Sequence, residues 1–144
     1  MLSNECVREL HTSWLPYITD AGLDRVIDLL EKGSPFLIHG SFTRAMPMGC
    51  LASHIAWNHP RTANLNVEAG ITWLHWVAGL NPATSRVIHE WDRRGCRDWD
   101  LRADLIAIFG EERQRRLSGG EPRKASSNTN VSRDGFRDCA LSEI

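Results

Sequence analysis

The sequence lacks an excess of charge of either sign, and it lacks an apolar run long enough to cross a bilayer. Seventeen Lys and Arg residues stand against eighteen Asp and Glu residues, which gives a formal net charge of -1. No global field therefore draws the protein towards nucleic acid or an anionic membrane, so any such binding has to be local. Every apolar stretch is interrupted by His, Gly or charged residues and falls short of the ~20 residues that a membrane helix needs.

Paired cysteines and familiar catalytic motifs are also missing. The four cysteines lie far apart, with no CxxC spacing, at Cys6, Cys50, Cys96 and Cys139. The first thirty residues carry charges that are not typical of a secretory signal, so we expect a soluble cytoplasmic protein with reduced thiols. There is no G-x-S-x-G, no H-E-x-x-H and no glycine-rich phosphate loop after a clear strand, so no enzyme class is indicated.

What is present is the composition of one globular domain. Hydrophobic residues make up 42% and charged residues 24% of the 144 positions, which is enough for one hydrophobic core. The composition changes at Ser118, beyond which Ser, Asn, Gly and charged residues replace the periodic apolar ones. We therefore predict a domain over residues 3–117 and a disordered tail over residues 118–144.

Caps and helix-stopping residues divide the domain into five or six short helices, which predict an all-α compact bundle. The predicted helices run from Asn4 to Leu15, from Thr19 or Asp20 to Gly33, over 46–58, from Asn66 to Gly79, from Asn81 to Gly95, and from Asp98 or Asp100 onwards. Residues 34–46 alternate apolar residues with Gly, Ser and Pro, and they fit either a buried loop or one brief strand.

Helical periodicity predicts which side chains face the core. The fourth helix would bury Val67, Ile71, Leu74 and Ala78, and the fifth Val87, Ile88 and Trp91. The sixth would bury Leu101, Leu105, Ile108 and Phe109, with a solvated end over 111–116. Most of the six tryptophans are expected in the core, because aromatic side chains at helical spacing are usually packing anchors.

The segment 71–91 places a helix, a glycine-containing turn and a second helix within about twenty residues. Its string AGLNPATSRVI resembles the helix-turn-helix of the repressor type, whose turn reads Ala-Gly, an aliphatic residue and then Ser or Asn. Gly79 matches the turn glycine and Leu80 the aliphatic residue. His75 and Ser85 depart from the pattern, which has a small and an aliphatic residue at those positions.

This resemblance implies that the second helix would enter the major groove of DNA. The residues that would then contact bases and phosphates are Thr84, Ser85, Arg86, His89 and Arg93. Acidic residues in the same segment nearly cancel the charge of the arginines, whereas DNA-binding proteins concentrate positive charge on one face. An ordinary helical hairpin within the core is the alternative interpretation.

A second candidate site lies on the predicted helix 46–58. Cys50 and His54 are four residues apart and would share one helical face, and His59 follows at the C-terminal end. A thiolate and two imidazoles suit zinc. Zinc signatures usually repeat a short spacing, and this chain offers one C-x3-H pair, so the alternative is that Cys50 and His54 line the core. A nucleophile and base pair would need a third orienting group that the sequence does not supply.

Residues 34–49 are unusually apolar for a loop, and they would either pack on the core or present a patch to a partner. Our first hypothesis is therefore a non-enzymatic helical binding or adaptor module that needs no cofactor and recognises a protein partner, with homodimerisation left open. DNA binding through the pair at 71–91 is the main alternative. A zinc-binding helical protein is the third hypothesis.

Overall fold

The computed structural model describes residues 1–119, which form six α-helices and one small hairpin. The helices are α1 (Asn4–Glu9), α2 (Asp20–Lys32), α3 (Leu51–Trp57), α4 (Ala69–Thr72), α5 (Arg86–Arg94) and α6 (Trp99–Leu117). The strands β1 (Thr43–Ala45) and β2 (Met48–Gly49) pair antiparallel. The predicted all-α bundle is thus confirmed, while the predicted tail lies outside the described residues except for its first two positions.

The N-terminal helix does not stop at the end of α1. It continues as one π-helical turn over Leu10–Trp14 and then as a 3-10 turn over Leu15–Tyr17, close to the predicted stop. Pro16 lies in that last turn. A proline has no backbone N–H, so it cannot continue the α-helical hydrogen bonding. The predicted cap was wrong by one residue, since Ser3 rather than Asn4 accepts the first backbone hydrogen bond.

The boundaries of α2 are those that the sequence predicts. The Thr19 side chain accepts a hydrogen bond from the backbone N–H of Gly22, and Gly33 ends the helix in the left-handed conformation with φ of 62°. The helix buries Leu23, Val26, Leu29 and Leu30, and it packs against α3 and α6.

Residues 34–46 contain one brief strand, β1, as the second of the two predicted alternatives has it, and β2 follows just beyond them at Met48–Gly49. The predicted helix start at Met46 is wrong, because Met48–Gly49 is extended and α3 begins only after Cys50. Two backbone hydrogen bonds hold Gly49 in this extended state: its N–H donates to Phe36 at 2.9 Å and its carbonyl accepts from Ile38 at 3.0 Å. The hairpin turns through Met46 and Pro47, which are joined by a cis peptide bond.

Of the four residues predicted to be buried around α4, Leu74 and Ala78 lie in the core, and Val67 and Ile71 do not. It begins as a 3-10 turn over 63–68 and ends as a second π-helical turn over Trp73–Val77. Val67 and Ile71, predicted to be buried, are 52% and 42% exposed. The reason is close packing of α4 on α3: a Cβ at Gly70 would lie 2.7 Å from the hydroxyl oxygen of Ser53.

The start of α5 was also predicted wrongly. Asn81 caps only a short turn, accepting the N–H of Ala83 at 2.9 Å, and Ser85 is the cap of the helix itself. The predicted end at Gly95 and the predicted buried set of α5 are confirmed.

In α6, Asp98 is the cap and accepts from the N–H of Leu101. Its predicted buried residues are in the core except Ile108, which is partly buried. Glu112 is fully buried although the sequence predicts a solvated end, because Arg115 and Arg116 donate to its carboxylate at 2.7 and 2.8 Å.

Three of the six tryptophans lie in the core, which is fewer than predicted. These are Trp14, Trp73 and Trp91, and the first two meet edge to face with ring centroids 5.4 Å apart. Trp76 and Trp99 are 67% and 74% exposed. Within the described part of the chain, no helix combines the length and apolar character that crossing a bilayer requires.

Candidate functional site

The residues predicted to contact DNA are only partly on a helix. Thr84 lies in the turn before α5, and Ser85 is its buried cap. The Ser85 hydroxyl donates to Oε2 of Glu9 at 2.5 Å and accepts from the backbone N–H of Ile88 at 3.3 Å. The Ser85 hydroxyl therefore both donates and accepts a hydrogen bond within the fold.

The arginines of α5 have acidic partners. The guanidinium of Arg86 lies 3.2 Å from the Glu5 carboxylate, and that of Arg93 lies 2.7 Å from the Glu90 carboxylate. His89 is exposed between them. The helix packs against α1, and the carboxylates that face these two guanidinium groups reduce the positive charge available to phosphate. DNA binding at this helix stays a prediction.

The predicted zinc ligands occupy separate positions. Cys50 is the N-cap of α3 rather than a residue inside the helix, and its carbonyl accepts the backbone N–H of His54 at 3.2 Å. Nε2 of His54 donates to the Phe36 carbonyl at 2.8 Å, and Nδ1 of His59 accepts from the Arg61 N–H at 3.1 Å. Each imidazole thus already has a backbone partner.

Burial shifts the pKa values of Cys50, His54 and His59. Desolvation raises the pKa of the Cys50 thiol to about 11 and lowers the pKa of His59 to about 4. It also lowers the pKa of His54. Among residues 1–119 no three His, Cys, Asp or Glu side chains are grouped closely enough to hold a metal ion. The zinc hypothesis therefore rests on the sequence alone.

One pairing of a thiol with an imidazole was not predicted. Nδ1 of His39 lies 3.2 Å from Sγ of Cys96, and the same nitrogen accepts the backbone N–H of Cys96 at 3.1 Å. The two residues are 57 positions apart, so no short motif could have indicated the contact.

The loop that carries His39 is anchored to α5 on both sides of the imidazole. The Ile38 carbonyl accepts the indole N–H of Trp91 at 2.8 Å, and the Gly40 N–H donates to Oδ1 of Asp92 at 2.8 Å. Beside this anchor is a cleft of about 80 Å³, lined by Gly40, Ser41, Phe42, Cys50, Ile88 and Asp92. Drug-sized ligands occupy pockets of ~300 Å³ or more, so this cleft fits only a small group.

A further unpredicted feature is an exposed row of large apolar side chains on the segment 63–77. We call this row, which consists of Leu65, Val67, Ile71 and Trp76, the apolar strip; its members are 39–67% exposed. Val67 lies in the 3-10 turn and Ile71 four positions later in α4. The strand β1 packs beside the start of the same segment and leads directly to the exposed Met46.

Comparisons of the chain with protein-family models, with curated proteins and with solved structures find no match. The described residues 1–119 form a helical domain with an exposed apolar strip, a small cleft and a thiol–imidazole contact. Its function has to be argued from these features.

Proposed function

We propose that this chain is a non-enzymatic binding module whose apolar strip docks a protein partner. The observation that carries the proposal is the exposure of four large apolar side chains on one segment whose opposite face lies in the core. Aromatic residues are enriched at the buried centres of protein interfaces, where they contribute much of the binding energy. Trp76, at 67% exposure, is the natural centre of such a contact.

The two exposed tryptophans differ in what they do within the fold. The ring of Trp99 lies 4.5 Å from the guanidinium carbon of Arg102, whose side chain donates to the Leu30 carbonyl. Trp99 therefore helps to cover a buried charge. Trp76 instead meets the exposed imidazole of His75 edge to face at 4.7 Å. Its exposure has no comparable structural role, which supports a role in binding.

The strip is held on a rigid support. Behind it, Trp73 and Leu74 are fully buried, and Gly70 lies directly against Ser53 of α3. The indole N–H of Trp57 donates to the Asn66 carbonyl at 2.8 Å and fixes the start of the segment. A preorganised surface loses little conformational freedom on binding, so more of the contact energy appears as affinity.

Charges beside the strip indicate the chemistry of the partner. Arg44 on β1 and Arg61 before the segment are exposed, and neither has an ion-pair partner among residues 1–119. Glu68 is the acidic residue within the segment. We therefore expect a partner surface with apolar anchors flanked by carboxylates, since rim charges direct association and select partners.

The experiment compares the two exposed tryptophans. A photo-cross-linking amino acid at position 67 of the full-length protein, with position 31 on α2 as the reference, identifies the partner in source cells. The purified partner is then titrated against the wild type, Trp76→Ser and Trp99→Ser. We expect the Kd to rise by about tenfold or more in Trp76→Ser, equivalent to about 1.4 kcal/mol, and to stay unchanged in Trp99→Ser.

Two results would contradict the proposal. One is a cross-link pattern that is the same at positions 67 and 31, and the other is equal affinity of the partner for all three proteins. A salt-dependent shift of duplex DNA that is lost in Arg86→Ala would instead support the alternative at α5.

A further inference from the structure

We propose that Cys96 is a reactive thiol, activated by His39, that exchanges with small anionic disulfides to form a reversible mixed disulfide. This site is separate from the apolar strip and does not depend on a protein partner. It joins the end of α5 to the loop after α2, two regions that meet only in the folded chain.

The hydrogen bonds at His39 define its tautomer. A backbone N–H can only donate, so the 3.1 Å contact from the Cys96 N–H requires an unprotonated Nδ1. The thiol of Cys96, 3.2 Å from the same nitrogen, is then the donor of the second contact. A thiol that donates to a neutral imidazole can pass its proton along that bond, which leaves the nucleophilic thiolate.

The local backbone permits this approach. Gly95 ends α5 with φ of 92°, a conformation that L side chains rarely adopt, and so directs the chain towards His39. The imidazole lies directly beside this glycine: a Cβ at position 95 would be in ordinary van der Waals contact with His39, 3.4 Å from Cε1. The anchors at Ile38 and Gly40 hold the imidazole in place from the other side.

Access separates Cys96 from the other described thiols. Cys96 is partly exposed and His39 is exposed, so a small reagent can approach the sulfur. Cys6 and Cys50 are buried, and burial raises the pKa of both thiols. Cys6 also donates its S–H to the Arg86 carbonyl at 3.4 Å. The protein therefore contains two internal references for an unreactive cysteine.

The neighbouring charge favours an anionic substrate. Arg97 follows the thiol directly, is exposed, and has no ion-pair partner among residues 1–119, unlike Arg94, which binds Asp98 at 3.0 Å. A guanidinium on the residue next to the thiol attracts a disulfide that carries carboxylates and favours the departing thiolate.

The exchange is balanced without any further oxidant. The Cys96 proton moves to Nδ1 of His39, which releases the backbone N–H of Cys96 as it is protonated, and the thiolate attacks one sulfur of R–S–S–R. A bond forms between Sγ and that sulfur while the original S–S bond breaks. The leaving R–S⁻ takes the proton from the imidazolium and departs as R–SH. A second thiol reverses the reaction by the same steps and restores the free Cys96.

The test treats the full-length protein with glutathione disulfide and follows the mass of each cysteine peptide over time. Cleavage before aspartate places Cys96 on residues 92–97 and Cys139 on residues 138–144, so the two are measured apart. We expect Cys96 to react at least about tenfold faster in the wild type than in His39→Ala. His89→Ala, which removes another exposed histidine, is the control and should react as the wild type does.

Two further measurements test the mechanism and the substrate class. Added imidazole should restore part of the Cys96 rate in His39→Ala, which a purely structural role of His39 would not allow. Arg97→Glu should slow the reaction with glutathione disulfide and not with the cationic disulfide cystamine, because only the anionic reagent loses an attraction.

The proposal has clear contrary outcomes. An unchanged Cys96 rate in His39→Ala, or a rate no higher than that of the buried Cys6 and Cys50, overturns the activated thiol. Equal slowing of both reagents by Arg97→Glu overturns the preference for anionic disulfides.

Discussion

The carboxylate of Glu9 caps the first turn of α5, where its Oε1 accepts the backbone N–H of Arg86 at 2.7 Å. Its Oε2 accepts the hydroxyl of Ser85 and, at 2.9 Å, the indole N–H of Trp14. One side chain of the first helix therefore supplies acceptors to two other elements. A negative charge at this helix end is also favoured by the helix dipole.

Replacing Glu9 should consequently be costly. Glu9→Ala leaves Ser85, Arg86 and Trp14 without their acceptor, and we expect the free energy of unfolding to fall by about 2–3 kcal/mol. Glu5→Ala on the same helix removes only the exposed pair with Arg86 and should change it by less than about 0.5 kcal/mol. Urea unfolding followed by fluorescence measures both. Equal destabilisation by the two variants would show that the cap is not important.

The buried indoles Trp73 and Trp91 provide a second comparison. The N–H of Trp91 donates to the Ile38 carbonyl at 2.8 Å, whereas the buried N–H of Trp73 has no hydrogen-bond partner in the described chain. Both substitutions by Phe remove the same volume. Trp91→Phe should therefore destabilise the protein by about 1 kcal/mol more than Trp73→Phe, as measured by urea unfolding. If Trp73→Phe were the more destabilising variant, differences in packing would outweigh the loss of the Trp91 hydrogen bond.

Two helical glycines should respond to alanine in opposite directions. At Gly70 the new Cβ would lie 2.7 Å from the hydroxyl oxygen and 2.9 Å from the backbone nitrogen of Ser53, so α3 and α4 must separate. We expect a loss of about 1–3 kcal/mol. At Gly110 in α6 the Cβ would meet nothing within 4 Å, so Gly110→Ala should add about 0.5–1 kcal/mol through helix propensity. Thermal unfolding distinguishes the two, and a stabilised Gly70→Ala would disprove the close contact.

Acid should destabilise the fold through His59. Its pKa falls from the ordinary 6.5 to about 4 because burial disfavours the charged form. Above pH 6.5 neither state binds the proton, but between pH 6.5 and 4 the unfolded chain binds it and the folded chain does not. The free energy of unfolding should then decrease by about 1.4 kcal/mol per pH unit on acidification. His54 contributes in the same direction.

The control for this prediction is an exposed histidine. His59→Gln should flatten the decrease between pH 6.5 and 4, whereas His75→Gln, at an exposed position, should leave it unchanged. Denaturant unfolding at a series of pH values measures both slopes. An unaltered slope in His59→Gln would rule out this residue as a source of the acid sensitivity.

Local signals in the sequence predict local structure well here. The start of α2 depends on Thr19, whose side chain accepts the backbone N–H of Gly22, three residues later. Its end depends on Gly33, in a left-handed conformation that few other residues adopt. The buried faces of α5 and α6 follow from helical periodicity because both helices have long regular stretches.

Elements that depend on distant contacts could not be predicted. The face of the segment around α4 is determined by Gly70 against Ser53, and the start of α5 is fixed by Glu9, 77 positions before Arg86. The same applies to the candidate sites. His39 and Cys96 meet through the fold, and two members of the apolar strip, Val67 and Ile71, are exposed although the periodicity predicts that they are buried.

The two π-helical turns constrain chain length as well as residue identity. In the turn Leu10–Trp14 the wider helix brings the indole N–H of Trp14 to the carboxylate of Glu9, five residues earlier. The ring of Trp14 also meets the ring of Trp73, which lies in the other π-helical turn, Trp73–Val77. Deleting one residue from 10–14 would restore ordinary α-helical spacing and rotate everything upstream by about 100°. Glu9 would then point away from α5. Relatives that keep the Glu9 cap are therefore expected to carry neither insertions nor deletions in this window, however much its amino acids vary.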